Sequence, residues 1–206
     1  MQKITPFLWF DNNAEEAVNF YTSLFDNSSI VGITRYNEES AKASGQKPGT
    51  AMTVAFKLGG QNFTALNGGP HFKLNQSISF FIYYESEAKI DTIYKKLSEG
   101  GVVLMPLDKY DWSPRYAWVQ DKFGLSWQLD VEKINSPQKI VPALLFVNDK
   151  LLKVKDAVNY YSTVFPDSKI MMEWPYDKSA GLPEGTLLFA QFKLANHLFL
   201  CNERNG

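Results

Sequence analysis

The chain has 206 residues, 45% of them apolar and 21% charged, with a net charge of −1 and no long run of either sign. That is the composition of a soluble globular protein of one or two domains. It excludes the basic footprint of a nucleic-acid binder and the polybasic patch that seeks anionic membranes. The single cysteine, Cys201, cannot form an intrachain disulfide, which fits a reducing compartment. The opening stretch MQKITPFLWFDNN has too short an apolar run for a signal peptide or a membrane span, so a cytoplasmic location is expected. The aromatic share, 15%, is high and suits a core, an interface or a small-molecule pocket.

ITPFLWF, residues 4–10, is short and rich in β-branched and aromatic side chains, which predicts a strand. Ala14, Ala17, Val18, Tyr21 and Phe25 then recur at helical spacing as one apolar stripe. Asn12 with Glu15, or Asn13 with Glu16, offers a capping box at the start of that helix. FDNSSIVGITRY predicts a turn and a strand, and NEESAKASGQKPG a polar loop. TAMTVAFKL and QNFTALN predict a hairpin closed by Gly59-Gly60, a two-residue turn signal. The unit is β-α-β-β-β.

A weaker copy follows. SISFFIYY predicts a strand; Ile90, Ile93, Tyr94 and Leu97 form one helical face, stopped by Gly100-Gly101. VVLMPL, RYAWVQD and LSWQLD predict three more strands, and KINSPQ, residues 133–138, a polar linker. The third copy repeats the first closely. IVPALLF matches ITPFLWF, and DAVNYYSTVF matches EAVNFYTSLF, with Val154, Ala157, Val158, Tyr161 and Phe165 in the stripe. FPDSKIMMEWPY and DKSAGLPEG follow, and TLLFAQFKL and HLFLCNE flank Ala195-Asn196. The fold class is therefore α+β, built from three tandem units. Repetition of this kind joins units that cannot bury their sheets alone, and paired units make a curved sheet with helices on the convex face and a concave face free for a ligand.

TPFLWFDNNAEEAVNFYTSLF, TALNGGPHFKLNQSISFFIYY and DKFGLSWQLD together resemble the PhnB-like branch of the vicinal oxygen chelate superfamily, the glyoxalase, bleomycin-resistance and dioxygenase fold. The branch is often labelled 3-demethylubiquinone-9 3-methyltransferase-like. The resemblance covers residues 4–131 closely and the third unit at lower strength. It implies glyoxalase-like βαβββ modules in a curved mixed sheet, with a complete two-module domain over residues 1–132 and a third, half-domain module over residues 136–206.

The resemblance also implies a site on the concave face. Metal-holding relatives take His, Glu or Gln from the first and last strands of paired units. The matching strands here offer Thr5, Ser77, Ser79, Asn67 and Gln128, with no His or Glu, so no metal and no cofactor are expected. His71 and His197 read as solvated. Candidate binding residues are Asn67, Gly68 and Gly69, whose glycines free the backbone for close approach to a ligand. Gln128 joins them, because it alternates with Ser126 and Asp130 on the face opposite Leu125, Trp127 and Leu129. Trp9 and Trp118 are candidate pocket walls, and Arg115, with Asp111, a candidate polar pair. For each of these a core, turn or surface role is the competing reading.

The function expected is metal-independent binding of a small, largely apolar or aromatic molecule. The alternatives are the methyltransferase that the label suggests, a metal-dependent lyase or dioxygenase, and a non-enzymatic resistance protein that sequesters a compound. A methyl donor such as S-adenosylmethionine usually needs a glycine-rich loop that follows a strand and opens a helix, and neither KLGGQNF nor NGGPHF sits in that context. The third module would leave an edge and an apolar face uncovered, so a homodimer through that module is expected. Glu203, at the position of Asn67, would then bring acid to a second cup.

Overall fold

The computed structural model describes residues 2–134 and 136–203; Asn135 of the expected linker and the last three residues of the expected third module lie outside it. Unit 1 comprises β1 (Phe7–Phe10), α1 (Ala14–Leu24), β2 (Ser29–Arg35), α2 (Glu38–Ser44), β3 (Ala51–Leu58) and β4 (Gln61–Asn67). Unit 2 comprises β5 (Ile78–Tyr84), α3 (Glu87–Ser98), β6 (Val102–Tyr110), β7 (Ser113–Gln120) and β8 (Ser126–Val131). Unit 3 comprises β9 (Ile140–Phe146), α4 (Val154–Val164), β10 (Lys169–Pro175), β11 (Leu187–Leu194) and β12 (His197–Glu203). No helix among the described residues is long and apolar enough to cross a membrane.

Each element follows from its local chemistry. The apolar stripe of α1 is buried at Ala14, Ala17, Val18 and Tyr21. The loop expected before β3 contains α2 instead, because Asn37 and Ser40 form a reciprocal capping box and Gly45, at φ 72°, ends the turn in the left-handed region. Gly59 and Gly60 close the β3–β4 hairpin at φ 54° and 80°. Ala195 and Asn196 close β11–β12 in the same left-handed pair, at 47° and 67°.

The strands form two sheets. Unit 1 makes a four-stranded sheet in the order β1-β4-β3-β2. Units 2 and 3 make one eight-stranded sheet in the order β10-β11-β12-β9-β5-β8-β7-β6. The first strands of units 2 and 3 join them, antiparallel, with Phe80 opposite Pro142 and Ser79 opposite Ala143. The expectation that units 1 and 2 would share a sheet over residues 1–132, leaving the third unpaired, is corrected here. Unit 1 instead buries its helix side against that of unit 2. Leu8, Phe10, Val18, Tyr21 and Phe56 share one core with Phe80, Ile82, Ile90, Ile93 and Trp127. Tyr21 meets Trp127 edge-on with ring centroids 5.3 Å apart, a favourable aromatic geometry. A second cluster lines the concave face shared by units 2 and 3, and a third lies beneath α4.

Candidate functional site

Strand alternation sets which side chains face the concavity of the eight-stranded sheet. On β8, Trp127 and Leu129 join the core beneath the helices, while Gln128 and Asp130 take the other face. Phe81 and Tyr83 of β5, Tyr116 and Trp118 of β7, Val141 and Ala143 of β9, and Leu198 and Leu200 of β12 form the cluster on that face. Phe81 and Tyr83 stack with centroids 5.7 Å apart.

A line of polar groups runs through these aromatics. The Tyr116 hydroxyl donates to Gln128 Oε1, and Gln128 Nε2 donates to Ser79 Oγ at 2.8 Å. Trp118 Nε1 donates to Ser126 Oγ at 2.7 Å. Ser113 Oγ donates to the Asp130 carboxylate. Gln128 is 1% exposed and Ser79 is fully buried, and buried polar groups held this way are fixed in direction. Burial pushes the Asp130 carboxyl up to about 6; the Ser113 hydrogen bond opposes the shift and the charge of Glu132 adds to it. Asp130 therefore exchanges a proton near neutral pH. β6 closes over this face. Its three register shifts against β7 bend it, and Leu104, Met105 and Tyr110 pack onto the aromatic cluster.

The structure brings Gln128 and Trp118 together here and places the other expected residues elsewhere. Asn67 does not face a concavity. Its Oδ1 accepts from Ala14 N at 2.8 Å and its Nδ2 donates to Ala51 O at 2.8 Å, so it caps α1 from beneath. The reason is alternation again, because Phe63 and Ala65 on the same face of β4 lie in the core. Glu203 does the same in unit 3, accepting from Val154 N at 3.3 Å and from the Tyr176 hydroxyl at 3.2 Å. Asn13 and its neighbours supply no side-chain cap to α1.

Gly68 and Gly69 seat the Trp9 indole. A Cβ on Gly68 would lie 2.3 Å from the ring, and Trp9 Nε1 donates to Gly69 O at 2.8 Å. Trp9 also borders a cavity of about 360 Å³ with Phe72, Lys73, Lys122 and Phe123, none of which faces the concavity. Arg115 points to the helix side, where its Nε donates to Asp91 Oδ1 on α3 at 2.8 Å. His71 is exposed, and His197 Nε2 accepts from Lys3 N at 3.1 Å. Cys201 is buried, and burial pushes its thiol up to about 12, which makes it inert. Sequence reading passed over Tyr116, Ser113 and Tyr83. The signal that finds Tyr116 is the alternation of Gln128 carried across to the neighbouring β7; Ser113, three residues before it, falls out of that alternation.

On this face the polar side chains nearest the seam are Ser79 and Gln128, and Ala143 faces Ser79 across it. These are neutral groups, and both ends of the Gln128 amide are already engaged. Among the described residues no three His, Cys, Asp or Glu side chains gather. The donor set does not fit a divalent transition metal.

Tandem βαβββ units, first strands paired across a curved sheet and helices on the far side define a vicinal oxygen chelate protein of the glyoxalase fold. In agreement, a glyoxalase I mutant from Zea mays aligns with 97% of this chain and 67% of its own at 11% identity and a TM-score of 0.61. A family model described as 3-demethylubiquinone-9 3-methyltransferase matches residues 2–130 and 138–205, and the chain belongs to that family. The PhnB protein of Bacillus cereus is 44% identical over 63% of this chain and 98% of its own, with a TM-score of 0.58. A protein from Pseudomonas aeruginosa is 21% identical over 63% of this chain and 97% of its own, with a TM-score of 0.51. No curated protein matches.

Proposed function

We propose that the concave face of units 2 and 3 binds a small, planar, largely aromatic molecule, and that it does so without a metal. The observation that carries this reading is the Tyr116–Gln128–Ser79 hydrogen-bonded line, held inside a wall of Phe81, Tyr83 and Trp118. Apolar walls supply affinity and a few fixed polar groups set orientation, which is how small-molecule sites are built. Asp130, two residues along the same strand face, adds a group that can take or give a proton near neutral pH. The family name speaks of a demethylated ubiquinone, and a phenolic or quinonoid ring is the ligand class that agrees with both that name and this aromatic face. A ligand enters by displacing Leu104, Met105 and Tyr110, and Met105 is an adaptable side chain for that purpose. A cytoplasmic setting, with Cys201 reduced, belongs to the same reading.

A thermal-shift titration with simple quinones and phenols tests it, because a ligand bound to the folded state alone stabilises it by mass action. Stabilisation of the parent chain is expected, with apparent affinity about ten-fold or more weaker in Gln128→Leu, since the line then loses its central amide. Equal stabilisation of Gln128→Leu would remove the site from this face. One zinc, nickel or iron per chain in protein purified without chelator would overturn the metal-free part.

A further inference from the structure

Units 1 and 3 meet on the helix side of the β5–β9 seam, where a cavity of about 410 Å³ remains between them. Strand alternation fixes the side. Ile78 and Phe80 of β5 line the cavity, whereas Phe81 and Tyr83 belong to the concave face. Pro142 of β9 lines it, whereas its neighbours Val141 and Ala143 belong to the concave face. The cavity is therefore on the opposite face of the sheet from the ligand site on units 2 and 3, and it is a separate site.

Its two walls are the same part of the repeat. Pro6, Leu8 and Phe63 line it from unit 1, and Pro142, Leu144 and Phe199, at the matching positions of the repeat, line it from unit 3. The walls are apolar, and the volume falls in the range of about 300–1,000 Å³ typical of small-molecule sites. Phe7 and Ile78 also line the cavity and are 59% and 51% exposed, so they mark its mouth. Large apolar side chains grouped at a cavity mouth are a feature of binding surfaces.

Most of the polar groups on the lining are already engaged. Gln2 and Gln138 hold matching positions and make matching bonds. Gln2 Nε2 donates to Asn62 O and its Oε1 accepts from Asn62 N; Gln138 Nε2 donates to Leu198 O and its Oε1 accepts from Leu198 N, all at 2.8–2.9 Å. His197 Nε2 accepts from Lys3 N, and burial lowers its pKa, so the ring is neutral at neutral pH. Two functions are left. Gln61 Nε2 donates across the cavity wall to Ile140 O at 3.0 Å, but Gln61 Oε1 is buried and has no hydrogen-bond partner among the described residues. A buried acceptor left empty is costly and calls for a donor. Lys73 is the one charged side chain on the lining; no Asp or Glu among the described residues lines the cavity, and Lys73 forms no ion pair with any of them.

We propose that this cavity binds a single-chain aliphatic acid that carries a hydroxyl group. The chain lies between the two matching walls, the hydroxyl donates to Gln61 Oε1, and the carboxylate takes the charge of Lys73. Each part of the ligand answers one observation. The apolar walls select the chain. The empty acceptor selects a hydroxyl, because a carboxylate has no proton to give it. The uncompensated ammonium selects an anion and rejects a cation.

Calorimetric titration of the full chain with ω-hydroxydecanoate tests the proposal. Binding is expected, about five-fold tighter than that of decanoate, which lacks the donor, and weaker as salt is added. Decyltrimethylammonium, the same chain with the opposite charge, is expected not to bind. Lys73→Gln, at an exposed position, should weaken binding of the acid about three-fold and remove its salt dependence. Ile78→Trp, also exposed and pointing away from the concave face, should fill the mouth and weaken binding about ten-fold or more. Gln61→Met should erase the preference for the hydroxylated acid. Absence of binding by ω-hydroxydecanoate overturns the proposal, and so does equal binding of the cationic chain. Unchanged binding in Lys73→Gln or in Ile78→Trp overturns it by placing the acid elsewhere on the molecule. Equal affinity of the parent chain for decanoate overturns the assignment of the hydroxyl to Gln61.

Discussion

Asp130 holds its carboxyl on the concave face beside Ser113, and burial there sets its pKa near 6. An unfolded aspartate titrates near pH 4. Between those values the folded chain keeps a proton that the unfolded chain has released. The group's contribution to stability is therefore complete below about pH 4 and is lost as pH rises through about 6, by up to about 3 kcal/mol. Asp130→Asn removes this dependence. Urea unfolding from pH 4 to 7.5 should show parent and variant converging at the acidic end and the variant more stable at the neutral end; parallel curves would mean that Asp130 is solvated. Ala195 presents a backbone problem at the same scale. It sits at φ 47° in a turn that unit 1 makes with two glycines, and a left-handed conformation costs a residue with a Cβ about 1–2 kcal/mol. Ala195→Gly should raise the stability of unit 3 by about 1 kcal/mol, less the extra chain entropy that glycine brings to the unfolded state. A lower unfolding midpoint for the variant would contradict it.

At the level of elements, the last strand of units 1 and 3 ends on a residue that caps the same unit's helix. Asn67 joins the end of β4 to the start of α1 and to the start of β3, and Glu203 sets a carboxylate at the start of α4, where the helix dipole favours negative charge. Asn67→Ala leaves the Ala14 N–H and the Ala51 carbonyl buried without their partner, which costs about 2–3 kcal/mol by denaturant unfolding. A loss under about 0.5 kcal/mol would show that water replaces the amide. Helices α1, α3 and α4 and the hairpins were legible in the sequence, because a 3.6-residue stripe and a two-residue turn are local signals, whereas the short α2, set by its caps and without a long stripe, was not. The cap was not, because its partner lies 53 residues away. The neighbouring polar residues Asn12 and Asn13 offered a nearer and more familiar solution. Alternation had already placed Gln128 opposite Trp127; the same reasoning along β4 puts Asn67 with Phe63 and Ala65 beneath the helix.

For the whole molecule, the number of units was readable from the repeat, and their pairing was not. All three first strands carry the same kind of sequence, so nothing local distinguishes a β1–β5 seam from the β5–β9 seam that forms. The choice is made by helix faces. Tyr21, Phe25 and Phe20 of unit 1 fit around Trp127 and Phe123 of unit 2, and Phe63 of β4 meets Phe80 of β5 with ring centroids 5.4 Å apart. The consequence is an uneven distribution of cohesion. Units 1 and 2 share one large core, whereas unit 3 relies on the small cluster beneath α4 and on its seam with β5. Every residue of β10 is exposed. Unit 3 should therefore open first as denaturant rises, with β10–β12 and α4 exchanging their amides at concentrations where β3, β4 and β8 remain protected. Because Leu198 and Leu200 leave the concave face with it, any stabilisation by a ligand of that face should appear in this first transition and not in the second. A single transition common to all three units, followed by exchange at each of these strands, would show instead that the β5–β9 seam couples unit 3 to the larger core as tightly as the helices couple units 1 and 2.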